Sequence, residues 1–301
     1  MSAAATLPVT PPFNFGLTLA FLNGFPPMQG EQGTGGELRK ATRLAGQTVG
    51  FVVRAADGEL DVTLHPERTL DAGQVQALHE RIAFFLGTDV ELDAFYALAE
   101  KDTALRPVLR DIYGFHQPRF LTPFEAACWA ILTQRQPLAQ ARHMKLALAD
   151  AHGGAWDGLP AFPEPADLAE LNAAAFQALV PNERKARALH AVTRAFQGVS
   201  TADLAAAPYG EVREWLLGIH GIGEWSALFV LLRGLGRTER KDLSPDSPLM
   251  KELLRAARPV YGELTPQDLL TIADGYGEQR GQWAISLRSR AALVPHEERV
   301  A

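Results

Sequence analysis

Two features between positions 217 and 251 could do chemistry: a glycine-rich turn and a carboxylate that follows it. Segment 217–227 reads LGIHGIGEWSA, in which helix-like sequence stops at a Gly-x-Gly turn and resumes near Glu224. Free amides at the start of the second helix form an anion site, so Gly221, Ile222 and Gly223 are candidates to bind a phosphate. A plain glycine-closed turn between helices is the alternative, and the negative charge of Glu224 weighs against the anion site.

The carboxylate is Asp246, within the sequence SPDSPLMK that precedes another helix-like stretch. A positioned carboxylate can act as a general base or stabilise a developing positive charge. Taken alone, an aspartate followed by Pro248 in a first helical turn favours a helix N-cap over catalysis. Asp242 is a second candidate, but it lies away from the helix start, which favours a solvated loop charge.

The elements that must position these residues change in character near residue 70. Residues 1–70 include the strand-like stretches 49–54 and 59–65, joined by an Asp-Gly turn, which predicts a small antiparallel sheet. Helical periodicity begins near residue 72 and continues to the end without strand-like alternation. The sequence therefore predicts an α+β protein, mainly α, with a β-rich domain at 1–70 and a helical body at 71–301. Helical segments are predicted at 123–151, 182–196, 211–217, 223–235, 248–257 and 280–292.

Composition excludes several classes of protein. The chain has 301 residues, of which 47% are hydrophobic and 21% charged, which is typical of a folded, non-membrane protein of about two domains. No secretory signal or membrane span is predicted, and the default location is cytoplasmic. Cys128, the single cysteine, rules out an internal disulfide and a cysteine-ligated zinc or iron–sulfur site. The net charge of −6 argues against indiscriminate DNA binding but leaves room for one small DNA-binding face.

Taken together, the hairpin and the downstream aspartate resemble the helix-hairpin-helix DNA glycosylases. The matching residues are GIGEWSA from Gly221, the Leu232-Arg233-Gly234 helix end and Pro245-Asp246 before a helix. The similarity is greatest to the bacterial 3-methyladenine DNA glycosylases of type II. Residues 123–134 look like the family's helix before its DNA-inserting loop, and residues 13–22 look like its N-terminal strand. The resemblance covers nearly the whole chain and implies a helix-hairpin-helix at about 211–236.

This resemblance implies a set of site residues. Asp246 is the implied catalytic carboxylate, because loss of a base leaves an oxocarbenium-like sugar that a carboxylate stabilises. An extruded base is held between aromatic faces, and the implied pocket residues are Phe21, Trp225 and Phe229. Trp283 is a further pocket candidate, although the family's aromatic lies later on that helix, near Arg288. Core packing is the alternative for Phe21 and Phe229, and it is the favoured role for Trp283.

The implied DNA-binding residues outside the hairpin lie near two loops. Gln134 and Arg135 belong to the loop that fills the gap left by the extruded base. The family often has an apolar wedge where this chain has Arg135, whose planar group could stack or contact phosphate, and a solvated arginine is the alternative. Lys185 is a candidate phosphate contact.

The resemblance also predicts the reaction. Family members that cut the strand carry a lysine two residues after the second hairpin glycine, where this chain has Trp225, so base removal without strand cleavage is expected. We expect a monomer that needs no cofactor or metal, acts on double-stranded DNA containing alkylated bases, and associates with the nucleoid. Two alternatives remain: a non-catalytic helix-hairpin-helix DNA-binding protein, or a glycosylase for another class of lesion.

Overall fold

A computed structural model describes residues 3–239, 244–247 and 249–293. Its first part is a five-stranded antiparallel sheet with the strand order β1-β5-β4-β3-β2, and the predicted β-rich start of the chain is confirmed. The strands are β1 Ala3–Pro8, β2 Gln32–Gly33, β3 Leu38–Leu44, β4 Gln47–Ala56 and β5 Glu59–Pro66.

The predicted hairpin joins β4 to β5. Ala56 pairs with Glu59 across the turn, and Gly58 takes a positive φ of 77° that favours glycine. Residues 47–53 of β4, the central strand of the sheet, are buried on both faces. The Asp-Gly signal therefore located the turn correctly.

The apolar segment 13–22 contains a helix, and the expected likeness to a strand is wrong. Helix α1 spans Phe15–Gly24, and the side chain of Asn14 accepts a hydrogen bond from the Leu17 amide at 3.1 Å. This N-cap satisfies one free amide of the first turn. An apolar run of this length does not distinguish a buried strand from a buried helix by periodicity alone, and the polar cap decides between them.

Thirteen further α-helices follow within the described residues. They are α2 Ala72–Leu86, α3 Asp93–Ala99, α4 Arg106–Asp111, α5 Pro123–Leu132, α6 Leu138–His152, α7 Ala173–Leu179, α8 Glu183–Phe196, α9 Thr201–Ala206, α10 Tyr209–Leu217, α11 Glu224–Phe229, α12 Met250–Tyr261, α13 Pro266–Asp274 and α14 Arg280–Leu293. Helix α11 continues directly into a π-helical turn at Val230–Gly234.

The predicted helices are confirmed with two corrections. The stretch 123–151 is two helices, α5 and α6, separated by a loop at residues 133–137. A short hairpin of β6 Ala155–Trp156 and β7 Leu159–Pro160 also exists, although no strand was expected after residue 70. Two-residue strands are too short to give an alternating sequence signal.

The buried side chains of the described residues form two clusters, and neither ends at residue 70. One cluster joins the sheet to α2, α5, α6, α8, α10 and α11. The other joins Phe21 of α1 to α3, α4, α12, α13 and α14. The division into domains at residue 70 stays a prediction, and the site described next lies where the two clusters approach each other at α1 and α11.

Candidate functional site

The hairpin between α10 and α11 depends on Gly221. Its φ is +92°, and a Cβ at this position would lie 2.4 Å from Cβ of Ala188 on α8, so only glycine fits. Ile222 anchors the turn in the core with 6% exposure. Gly223 is the exposed N-cap of α11 in extended conformation, and a Cβ built there has no neighbour within 4 Å. The turn is thus fixed at its first glycine and open at its second.

The charge of Glu224, which weighed against an anion site, has a partner. Nη2 of Arg213 donates to the carboxylate of Glu224 at 2.6 Å. An exposed ion pair offsets part of the negative charge at the start of α11. The negative charge of Glu224 therefore opposes phosphate binding at the hairpin less strongly than the sequence alone indicates.

The loop 133–137 is held against the hairpin by Gln134. Its Nε2 donates to the carbonyl oxygen of Gly221 at 2.8 Å and to Oγ of Ser226 at 3.2 Å. Arg135 is exposed and has a φ of +52°, an uncommon backbone conformation for arginine. The loop therefore presents Arg135 outwards while Gln134 faces inwards.

Lys185 has an internal role in this arrangement. It is 5% exposed, and its Nζ donates to the carbonyl oxygens of Ile131 at 2.9 Å, Leu132 at 2.7 Å and Gln134 at 2.7 Å. Burial, together with Arg184, lowers the pKa of Lys185 to about 8, whereas the three carbonyls favour the ammonium form. Its donors are thus occupied by the end of α5 and the loop, and a phosphate contact stays a prediction.

Two cavities meet beside the hairpin. The first is an open groove of about 960 Å³ between loop 133–137 and the hairpin, with Arg135, Gly223 and Trp225 in its wall. The second is called the base pocket after the base-binding residues that the sequence predicts in its wall. It has a volume of about 240 Å³ and lies between α1, α11 and the C-terminal helices. Phe25, Trp225 and Phe229 line both cavities, so the groove and the pocket adjoin each other at these rings.

The base pocket is lined by two pairs of stacked rings. Trp225 and Phe229 are one helical turn apart, with centroids 5.3 Å apart and planes at 19°. Phe21 and Phe25 stack at 5.3 Å and 26°. The structure thus brings together three of the four aromatic residues predicted for the pocket, Phe21, Trp225 and Phe229.

Sequence reasoning missed Phe25. It is the C-cap of α1, in extended conformation, and stacks on Phe21 just beyond the last turn of the helix. No pattern of the apolar run 13–25 indicates where the helix ends, so the sequence does not place this ring.

Trp283 is not part of this pocket, which corrects the expectation. It is 0% exposed, its Nε1 donates to the hydroxyl of Tyr261 at 2.9 Å, and its ring stacks on Tyr276 at 5.7 Å. Trp283 lies on the inner face of α14, where the indole N–H needs and finds a buried acceptor. The core-packing alternative therefore describes it.

Asp246 lies in an exposed turn that precedes α12. The amide of Ser247 donates to the carbonyl oxygen of Ser244 at 3.0 Å, and the Asp246 side chain is exposed. Leu249, three residues later, lines the pocket. The N-cap of α12 is Leu249 and receives no side-chain hydrogen bond, so the N-cap alternative for Asp246 is wrong. Asp242, Lys241 and Pro248 lie outside the described residues.

Three charged residues of the pocket wall, Arg233, Glu252 and Arg288, were not foreseen as site residues. Arg233, on the π-helical turn, lines the pocket and is 6% exposed. Glu252 on α12 also lines the pocket and accepts a hydrogen bond from Nη2 of Arg288 at 3.0 Å. Arg233 belongs to the Leu232-Arg233-Gly234 helix end that carries part of the family resemblance, but no sequence signal separates a buried arginine from a solvated one.

The described part of the chain contains no group of three histidine, cysteine, aspartate or glutamate residues arranged to hold a metal ion. Within the same residues, no helix has both the length and the apolar character needed to span a bilayer.

Comparison with known proteins agrees with this geometry. No family model matches the chain. A Bacillus subtilis protein named DNA-3-methyladenine glycosylase is 26% identical over 178 residues, which are 57% of this chain and 59% of that protein. This chain thus matches less than two thirds of the length of that relative.

Solved structures extend the likeness to almost the whole chain. The 3-methyladenine DNA-glycosylase from Archaeoglobus fulgidus has a TM-score of 0.72 at 20% identity, covering 96% of this chain and 98% of that one. The apo-form of the 8-oxoguanine glycosylase/lyase from Clostridium acetobutylicum has a TM-score of 0.62 at 13% identity, with 95% of each chain covered. The resemblance predicted from the hairpin and Asp246 is confirmed, and the chain has the fold of the helix-hairpin-helix DNA glycosylases.

Proposed function

We propose that this protein is a monofunctional DNA glycosylase that removes alkylated purines, such as 3-methyladenine and 7-methylguanine, from double-stranded DNA. The observation that carries the proposal is the junction of the groove and the base pocket at Trp225 and Phe229. A base that leaves the stack through this junction enters a pocket with aromatic faces, which attract a cationic methylated ring. We also propose that the protein acts as a monomer, without a cofactor, on nucleoid DNA in the cytoplasm.

The proposed DNA-binding face consists of the hairpin and loop 133–137. The amides of Gly221 and Gly223 bind a backbone phosphate, supported by the open space at the second glycine. The Ile222 amide, predicted to join them, instead donates to the carbonyl oxygen of Ile219 at 3.0 Å. Arg135 fills the gap left by the extruded base, which suits its exposure and its planar guanidinium. Gln134 and Lys185 support this face indirectly, because they hold loop 133–137 against the hairpin.

Asp246 is the proposed catalytic carboxylate. As the C1′–N9 bond breaks, the sugar gains positive charge, and a nearby carboxylate stabilises it and accepts a proton from the attacking water. The exposed position of Asp246, close in sequence to the pocket residue Leu249, supports this role. The alkylated base needs little acid catalysis, because its ring already carries positive charge.

Two residues support hydrolysis without strand cleavage. Trp225 occupies the position at which strand-cutting members of the family carry a lysine. Lys185 lines the groove, but its amine already donates to three carbonyl oxygens. A Schiff base needs a free, neutral amine, so Lys185 is a poor nucleophile in this arrangement.

The test is base release from randomly methylated double-stranded DNA. We expect the native chain to release methylated purines and to leave the strand intact until alkali is added. Asp246→Asn should lower the single-turnover rate by at least about a hundredfold, since one group that stabilises transition-state charge is worth about that much. Asp203→Asn, an exposed aspartate in the first turn of α9, is the matched control and should release base at the native rate.

Other outcomes would change the proposal in distinct ways. DNA binding without release by either form would favour a non-catalytic DNA-binding protein. Release of 8-oxoguanine in place of methylated purines would favour another lesion class. Strand cleavage without alkali, with an enzyme–DNA adduct trapped by borohydride, would contradict the monofunctional assignment. Loss of that adduct in Lys185→Met would then identify the amine of Lys185 as the nucleophile.

A further inference from the structure

The side chain of Arg233 has donors that the folded protein does not use. Its guanidinium carbon lies 4.4 Å from the ring centroid of Phe25 and 5.4 Å from that of Phe21. Its Nε and Nη2 are buried and have no hydrogen-bond partner. Ring faces attract a cation but do not replace hydrogen-bond acceptors, and buried unsatisfied donors cost free energy. Such a group in a pocket wall indicates a ligand that supplies the acceptors.

Neighbouring charges do not neutralise Arg233. Glu252 lines the same pocket but accepts from Arg288, and Arg119 donates to Asp89 at 3.3 Å. Desolvation, with Arg288 and Arg119 nearby, lowers the pKa of Arg233 to about 9, so the guanidinium is still charged at neutral pH. At this point the pocket wall is positively charged and offers donors.

We propose that Arg233 selects the extruded base by donating hydrogen bonds to a carbonyl oxygen of that base. The inference rests on the proposed function and narrows its substrate class to 6-oxopurines, such as 7-methylguanine, in preference to 6-aminopurines, such as 3-methyladenine. The O6 atom of a guanine derivative is an acceptor that arginine pairs with well. The 6-amino group of an adenine derivative is a hydrogen-bond donor. It would leave the N–H groups of Arg233 without an acceptor and place further N–H groups opposite them.

The same hydrogen bond assists the reaction. When the C1′–N9 bond breaks, its electron pair stays on the base, while the water oxygen bonds to C1′ and its proton passes to Asp246 or solvent. In a 6-oxopurine, part of the arriving electron density is delocalised onto O6. A charged donor at O6 therefore binds the departing base more strongly than the ground state and lowers the barrier.

The experiment measures two bases released from one substrate. Double-stranded DNA methylated with dimethyl sulfate contains both 7-methylguanine and 3-methyladenine, and the full chain is used in excess so that single-turnover rates are obtained. Arg233→Met should lower the rate for 7-methylguanine about tenfold or more, as expected for a lost charge-assisted hydrogen bond. The rate for 3-methyladenine should stay the same or rise. Arg233→Lys keeps one charged donor and should give an intermediate ratio.

The controls separate this inference from the proposed function. Arg258→Met replaces an exposed arginine on α12 and should leave the ratio of the two rates unchanged. Equal losses for both bases in Arg233→Met, or unchanged rates for both, would overturn the role of Arg233 while the proposed function stands. Release of neither base by the native chain would overturn the proposed function, and this inference with it. If Arg233→Met does not fold, the ratio in Arg233→Lys decides the outcome.

Discussion

Lys145 and Arg233 are both buried cations on helical elements, but only Lys145 is surrounded by acceptors. Its Nζ donates to the carboxylates of Glu31 and Glu125, each at 2.7 Å, and to the carbonyl oxygen of Pro27 at 2.9 Å. Arg233 has ring faces beside it and two nitrogens without a partner. Both side chains are nearly inaccessible, at 0% and 6% exposure, so burial alone does not explain the difference.

The Lys145 cluster connects the sheet to the helical body. Glu31 precedes β2 and lies 3.5 Å from Nζ of Lys40 on β3, while Glu125 is on α5 and Lys145 on α6. Desolvation alone would lower the pKa of Lys145, but attraction by Glu125 and Glu31 raises it above its ordinary value. The charge of Lys145 is thus compensated within the fold, whereas the compensation that we propose for Arg233 comes from a bound base.

Loss of Lys145 should have the largest effect on stability. Lys145→Met leaves two buried carboxylates with one remaining cation, Lys40, and should lower the free energy of unfolding by about 3–5 kcal/mol. Urea denaturation monitored by circular dichroism measures it. The double variant Lys145→Met with Glu125→Leu should recover part of the loss, because it removes one unpaired charge. No recovery would mean that packing, not charge, holds the cluster together.

Lys185 is an intermediate case, because its acceptors are neutral carbonyls. Lys185→Met leaves the carbonyl oxygens of Ile131, Leu132 and Gln134 without this donor and should cost about 1–3 kcal/mol of unfolding free energy. Arg184→Met, at the exposed neighbouring position, should change it by less than about 0.5 kcal/mol. Equal effects of the two substitutions, measured by the same denaturation, would show that Lys185 does not hold the loop.

Arg233 should matter least for stability. Arg233→Met removes an unpaired buried charge and loses two ring contacts, so the unfolding free energy should stay within about 1 kcal/mol of the native value or increase. Thermal unfolding in the absence of DNA measures the change. A loss as large as that of Lys145→Met would assign Arg233 a structural role and remove the contrast between the two sites.

Local sequence determined the features that depend on a few neighbouring residues. The Gly221 turn, the Asp-Gly hairpin and the long helices follow from φ preferences and from periodicity, and both operate within a few positions along the chain. The same information could not separate helix from strand in the apolar run 13–22. There the N-cap from Asn14 and the burial of α1 against α14 decide the conformation.

Only the tertiary structure decided which side chains share a site. Phe25 and Arg233 meet in the pocket although about two hundred positions separate them, and Trp283, predicted for the pocket, turns into the core. The sequence indicates a surface charge at Lys185, whereas in the folded chain its amine donates to the carbonyl oxygen of Ile131 at the end of α5. Sequence alone determined the hairpin and the candidate carboxylate, because each is a local pattern. The partners of a buried charge come from distant segments, so only the folded chain determines whether that charge is satisfied.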